Sequence, residues 1–247
     1  MLIDGKWTSD WQPVQATDAK GGFVRQTSSF RSWVTPDGQA GPTGHGGFKA
    51  EAGRYHLYVA LICPWASRTL IARKLKRLEH ALGVLVVEPV LTEQGWRFGD
   101  FPGSDRDTIN RAVYLHELYT RAKPRFTGRA TVPVLWDKKT STIVNNESAD
   151  ILRILNSGFG ALADDSVDLY PEALRRDIRL ERAHLSRTQQ RCLPRGFCHH
   201  ARSLRRGVPR RLRHVARTGG ASCIAEILGR RASHGSGHPS VRDVDPF

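Results

Sequence analysis

Two apolar runs joined by a Cys-Pro turn and a short amphipathic stretch constrain this chain more than any other feature. The first, "YHLYVALI" (residues 55–62), is rich in aromatic and branched side chains and suits a buried strand. After Cys63-Pro64, the apolar residues Ile71, Leu75, Leu78 and Leu82 recur at i, i+4, i+7 and i+11, which predicts one buried helical face. "GVLVVEPV" (83–90) reads as a second buried strand. A crossover through one short helix returns the chain beside the first strand in the same direction, so the unit is β-α-β with parallel pairing.

The segments that follow extend this unit. Residues 91–127 form an insertion whose clearest element is "NRAVYLHELYTRAK", with Leu115, Leu118, Tyr119 and Ala122 on one helical face. "RATVPVLWD" and "TSTIV", separated by the turn-like "DKKT", read as a β-hairpin. "NNESADILRILNS" opens a helix with Asn and Ser as capping candidates and Ile151, Leu152 and Leu155 as its apolar positions. The order β-α-β, insertion, β-β-α defines an α/β domain over residues 51–165. Ahead of it, residues 1–50 are rich in Gly, Ser, Thr and aromatics without a sustained period, and read as an irregular arm laid over the domain. Behind it, residues 166–178 contain "YPEALRRDI", the start of a further helix.

Three places in the domain carry possible chemistry. Cys63 stands between a strand and a helix, with Pro64 at the first helical turn, where the amides have no intrahelical partner. Those free N–H groups and the positive helix end favour a thiolate, and Arg68, one turn on, adds to the field. The alternative is an inert buried thiol. Ala66 occupies the place a CxxC partner would take, so a small-molecule thiol would have to resolve any mixed disulfide on Cys63. Val132-Pro133 lies inside a strand pattern, where Pro marks either a plain edge or a deliberate break. With a cis bond, Val132 would offer its backbone N–H and C=O to an extended peptide. Glu147-Ser148 opens a helix, where ordinary capping competes with a site in which Ser148 and the helical amides take a carboxylate and Glu147 an α-amino group. A thiol, a strand-like dock and a carboxylate site together match glutathione.

These residues also carry a resemblance. "RYHLYVALICPWASRTLIARKLKRLE", Gly95-Trp96, "TGRATVPVLWDKKTSTIVNNES" and "DLYPEALRRDI" resemble the glutathionyl-hydroquinone reductases, the Xi class of glutathione transferases. The resemblance covers most of residues 1–178, and Cys-Pro-Trp-Ala is its most diagnostic motif. It implies a thioredoxin-like domain followed by an all-helical domain, a homodimer, and glutathione as co-substrate. It implies that Cys63 attacks the sulfur of a glutathionylated hydroquinone and that a second glutathione frees the thiol. By motif position Trp96, Arg129, Val132, Glu147 and Ser148 hold glutathione: Trp96 packs on it, Arg129 supplies charge and Val132 supplies backbone hydrogen bonds.

Composition changes sharply beyond this point. The net charge is +14, yet the first 178 residues contribute only +3, while the stretch from Arg179 holds 15 Arg, no Lys and 4 acidic residues. All 6 Trp and all 5 Tyr precede Arg179, whereas 3 of the 4 Cys follow it. The stretch has scattered Pro and Gly and no apolar period. One synonymous back-translation of Arg191–Val215, read one nucleotide on and completed by the first base of the Ala216 codon, encodes GVYRAGFATTHEAYEEAFRDVFDTL, close to the helix the resemblance calls for and with a helical period restored. Residues 179–247 are therefore expected to be an out-of-frame basic tail, disordered, with the family's all-α second domain absent or disrupted and the reaction impaired. The competing readings are a general glutathione transferase or thiol-disulfide reductase, and a basic nucleic-acid- or metal-binding protein acting through this tail. Cys192, Cys198, His199 and His200 fit no common zinc spacing, and high Arg is what shifted GC-rich DNA encodes, so neither a metal nor a nucleic acid is expected. No run approaches the ~20 apolar residues of a membrane span, and no leader is visible in "MLIDGKWTSDW", so a cytoplasmic protein away from membranes is expected.

Overall fold

The chain enters the fold through two short ladders. Leu2–Ile3 (β1) pairs antiparallel with Lys6–Trp7 (β2), and Trp33–Thr35 (β3) pairs parallel with Gly47–Lys49 (β4). The structure, a computed structural model, describes residues 1–9 and 27–180. The arm read as irregular thus carries regular pairing, in strands of two and three residues that are too short to show a period of two. The tail from 181 onward, with its shifted-frame and metal readings, lies outside the described residues.

A four-stranded sheet forms the centre. Tyr55–Val59 (β5) runs into the helix Pro64–Leu75 (α1), and Leu82–Val86 (β6) returns parallel to β5. The insertion contributes Leu115–Ala122 (α2). Val134–Asp137 (β7) and Thr142–Asn145 (β8) form the expected antiparallel hairpin, and Ser148–Arg153 (α3) closes the unit. The strand order is β6-β5-β7-β8, with β7 antiparallel to β5. The central strand β5 is buried at Tyr55, Leu57, Tyr58 and Val59. On the insertion helix Leu115, Leu118 and Tyr119 are buried as their spacing predicts.

Helix α1 departs from its apolar pattern. Ile71 and Leu75 are exposed, and the buried face is Ala66, Thr69 and Ala72. The helix ends at Leu75 because Arg77 adopts the left-handed conformation at φ +49°, so Leu78 and Leu82 belong to a following 3-10 turn and to β6. The helix packs on α3 and on the turns that follow the two helices, and small side chains at 66, 69 and 72 suit such close packing. The first apolar run also ends early: β5 stops at Val59, and Leu61 and Ile62 are exposed beside the thiol turn.

Register explains one glycine. His56 pairs with Gly83 across β5 and β6, and a Cβ at Gly83 would lie 2.5 Å from the His56 ring, so only glycine admits that ring. At the start of β5, buried Asp137 accepts two bonds from Arg54, at 2.8 and 2.7 Å, with Thr140 adding a third. Burial opposes the Asp137 charge, but these donors outweigh it and hold its pKa below the usual carboxylate value.

Candidate active site

Cys63 is the N-cap residue of α1, with extended backbone at φ −90° and ψ 114°. A tight turn places it: its N–H donates to Ala60 O at 3.0 Å, and its carbonyl accepts from Ala66 and Ser67. Pro64 occupies the first helical position, as the sequence predicts. The thiol is half-buried and forms no disulfide among the described residues, and its Sγ lies 3.9 Å from Val132 O. Trp65 beside it is partly exposed.

The Val132-Pro133 bond is cis. Val132 is buried, its carbonyl faces the thiol, and among the described residues its N–H has no hydrogen-bond partner. The segment before it is held from below by Tyr119. That buried phenol donates to Thr131 O at 2.7 Å and accepts from Thr131 N–H and from Asn146 Nδ2. One hydroxyl therefore positions the residues just ahead of both Val132 and Glu147.

Glu147 caps α3, its carboxylate accepting from Ala149 N–H at 3.3 Å and from Ser28 Oγ at 3.1 Å. The cap is thus the acid rather than the Asn or Ser the sequence offered. Asn145 serves one step earlier, its Oδ1 accepting from Glu147 N–H. Ser148 is buried and takes a hydrogen bond from Arg68 Nη2, so the helix that carries the thiol is bound to the helix start that carries the serine. Arg31 from the N-terminal arm pairs with buried Asp150 one turn further on.

Cys63, Val132 and the Arg68–Ser148 pair are linked by these contacts, with Glu147 adjacent to Ser148. Trp96 and Arg129 stand on other segments. Trp96 is half-buried in the loop between β6 and α2, its carbonyl accepting from Leu115 N–H. Arg129 is half-buried beside Gly128, which pairs with Leu2. Burial first, and the Arg129 charge second, press the Met1 amino pKa below its usual value. Sequence reasoning passed over Tyr119, seen only as a core-facing helical position, and Ser28, which gave no signal. Among the described residues no cluster of three or more His, Cys, Asp or Glu side chains is arranged to hold a metal, and no helix is long and apolar enough to cross a membrane.

A β-α-β, α, β-β-α order around the β6-β5-β7-β8 sheet, with a thiol at the mouth of α1, defines a thioredoxin-like domain. The family "Glutathione S-transferase, N-terminal domain" matches residues 62–157. The chain is 54% identical over 178 residues to the glutathionyl-hydroquinone reductase YqjG of Escherichia coli K12, covering 72% of this chain and 54% of that protein. It is 43% identical to the glutathionyl-hydroquinone reductase PcpF of Sphingobium chlorophenolicum, covering 72% and 53%. The glutathione-bound structure of YqjG superposes with a TM-score of 0.65 and 48% identity, over 75% of this chain and 54% of that one. A Xi-class transferase from Natrialba magadii gives 0.64 and 44%, over 75% and 53%. The matched part of the chain belongs to the glutathionyl-hydroquinone reductases, the Xi class of glutathione transferases. The chain spans about half the length of these relatives.

Proposed function

We propose that Cys63 is the nucleophile of a glutathione-dependent reductase acting on glutathionylated hydroquinones. The observation that carries this reading is the meeting of the Cys63 sulfur and the Val132 carbonyl, 3.9 Å apart, in the segment leading into β7, where the Val132 N–H has no partner among the described residues. An extended peptide bonded to Val132 through its own cysteine backbone brings that cysteine's sulfur beside Sγ. Ser148 and the first amides of α3 suit the γ-glutamyl carboxylate, Glu147 its α-amino group, Arg129 a second carboxylate, and Trp96 an apolar wall.

In the first step the Cys63 thiolate attacks the thioether sulfur of the glutathionylated hydroquinone. The bond from sulfur to the ring carbon breaks, its electron pair stays with the ring carbon, and a proton converts it to the C–H of the free hydroquinone. A Cys63–glutathione disulfide remains. In the second step a glutathione thiolate attacks the glutathione sulfur of that disulfide, giving oxidised glutathione and the Cys63 thiolate. The sum is one glutathionylated hydroquinone plus one glutathione going to one hydroquinone plus oxidised glutathione. Names of relatives that read glutathionyl-hydroquinone reductase, and a relative's structure with glutathione bound, support the substrate assignment. A cytoplasmic setting, where thiols stay reduced, belongs to the same reading.

The test is incubation of the chain with glutathionylated hydroquinone, following hydroquinone by chromatography and the protein by intact mass. A glutathione adduct on Cys63 and hydroquinone release are expected, and Cys63→Ser removes both. Hydroquinone release that survives in Cys63→Ser would overturn the mechanism. Reduction of a small disulfide without hydroquinone release would point instead to a general thiol-disulfide reductase. Salt-sensitive DNA binding lost on deletion after Arg179 would favour a role for the basic tail.

A further inference from the structure

The hairpin β1–β2 joins the two proposed glutathione contacts that lie away from Cys63. On one side it is bonded to the segment that leads to Arg129. Leu2 N–H donates to Gly128 O and Gly128 N–H to Leu2 O, both at 2.9 Å, Gly5 N–H donates to Phe126 O at 2.9 Å, and Arg125 pairs with Asp4 at 2.6 Å. On the other side it covers the turn that carries Trp96. The Trp7 indole N–H donates to Glu93 O at 3.1 Å, and the ring stacks on His116 at 4.6 Å, an imidazole on which Tyr114 also stacks at 5.5 Å.

The turn beneath Trp7 is tightly made. Thr92 and Gly95 exchange backbone hydrogen bonds at 3.0 and 2.9 Å, and Gly95 stands at φ +82°. A Cβ at Gly95 would lie 3.2 Å from Trp7 Cη2, so the indole rests directly on the turn. From the other flank, Leu115 N–H bonds to Trp96 O at 2.9 Å and Arg97 bridges to Tyr114. Trp96 is thereby held between Trp7 and the start of α2. Residues 87–114 contain no helix or strand of their own. Without such a brace, the cost of ordering the loop would fall on ligand binding.

We propose that the Leu2–Trp7 hairpin is a positioning element for glutathione, setting Trp96 through Trp7 and the Arg129 segment through Leu2. The proposal rests on the glutathione reading of the site. Trp7 itself is a positioning residue, since its contacts run to Glu93, Gly95 and His116.

The experiment compares the full chain with Trp7→Ala and Trp7→Phe, by calorimetric titration with glutathione and by amide hydrogen exchange over residues 92–97. Trp7→Ala is expected to lose exchange protection at Gly95 and to bind glutathione about tenfold more weakly, while Cys63 alkylation by iodoacetamide keeps its rate. Trp7→Phe keeps a ring on His116 but loses the bond to Glu93, and about threefold weaker binding is expected. Should Trp7→Ala fail to fold, Trp7→Phe decides alone. Wild-type affinity in the deciding variant overturns the positioning role and leaves the site reading intact. A wild-type chain that takes up no glutathione overturns the site reading, and the positioning role with it.

Discussion

Arg68 stands one turn beyond Cys63 and donates to Ser148 Oγ, 80 positions further along the chain. Because the guanidinium occupies a lone pair of that oxygen, the Ser148 hydroxyl proton is left to turn toward an incoming carboxylate. A hydrogen bond from a charged donor is worth about 1.5–3 kcal/mol. Arg68→Met is therefore expected to weaken glutathione binding about tenfold, roughly 1.4 kcal/mol, and Arg68→Lys to recover part of it. Titration calorimetry checks this, with a thermal melt showing that the fold persists; equal affinities in all three proteins would remove Arg68 from the site. The candidate residues differ in how legible they were. Cys63, Val132, Glu147 and Ser148 each sit at a punctuation mark of the chain: a strand end, a Pro in a strand, a helix start. Trp96 and Arg129 have no such mark and rest on family resemblance. The Tyr119 hydroxyl, which holds Thr131 and Asn146 together, is indistinguishable in sequence from any aromatic on a buried helical face.

The β5–β6 pair carries a pH dependence. Burial, with the nearby Lys138 charge adding to it, pushes the His56 pKa down to about 4 in the folded chain. In the unfolded chain an imidazole titrates near 6.5. Between those values the unfolded state binds the extra proton, so stability is full above about pH 6.5 and declines as the pH falls toward about 4. After allowance for partial solvation, the contribution is on the order of 2 kcal/mol. Melting temperatures across pH 4–7 check it: His56→Leu is expected to show a shallower decline than the wild type, and parallel curves would refute the assignment. The same pair shows how elements were misread. Both strands of the unit and their parallel pairing follow from the apolar runs and the short crossover. The buried face of α1 did not follow, because Ile71 and Leu75 keep the spacing of a core stripe while the face that is buried carries the smaller Ala66, Thr69 and Ala72. Periodicity reports that a helix has faces; tertiary packing selects among them.

For the molecule as a whole, the fold agrees with the Xi-class relatives over a stretch that is about half their length. Residues 181–247 lie outside the described structure, so the reading of that tail stays with the sequence. If residues from about Arg179 are out of frame, nucleotides of codons 176–182 will show a single-base insertion or loss, and the alternative frame will continue into family-like helices. A chain with the frame restored is then expected to release hydroquinone on the order of 100-fold faster than the present chain, since misplacing substrate over an intact nucleophile costs about that much. A clean read with no family-like alternative frame would end the proposal. The sequence by itself determined the order of strands and helices within residues 51–165 and the thiol at a helix mouth. Those properties depend on residues within a turn or two of each other. Only the tertiary structure decided which face of α1 is buried, that Arg68 reaches Ser148, and that one N-terminal hairpin braces both the Trp96 turn and the Arg129 segment. Those outcomes depend on contacts across some 80 to 125 positions of chain, where side-chain size and register act and local pattern carries no information.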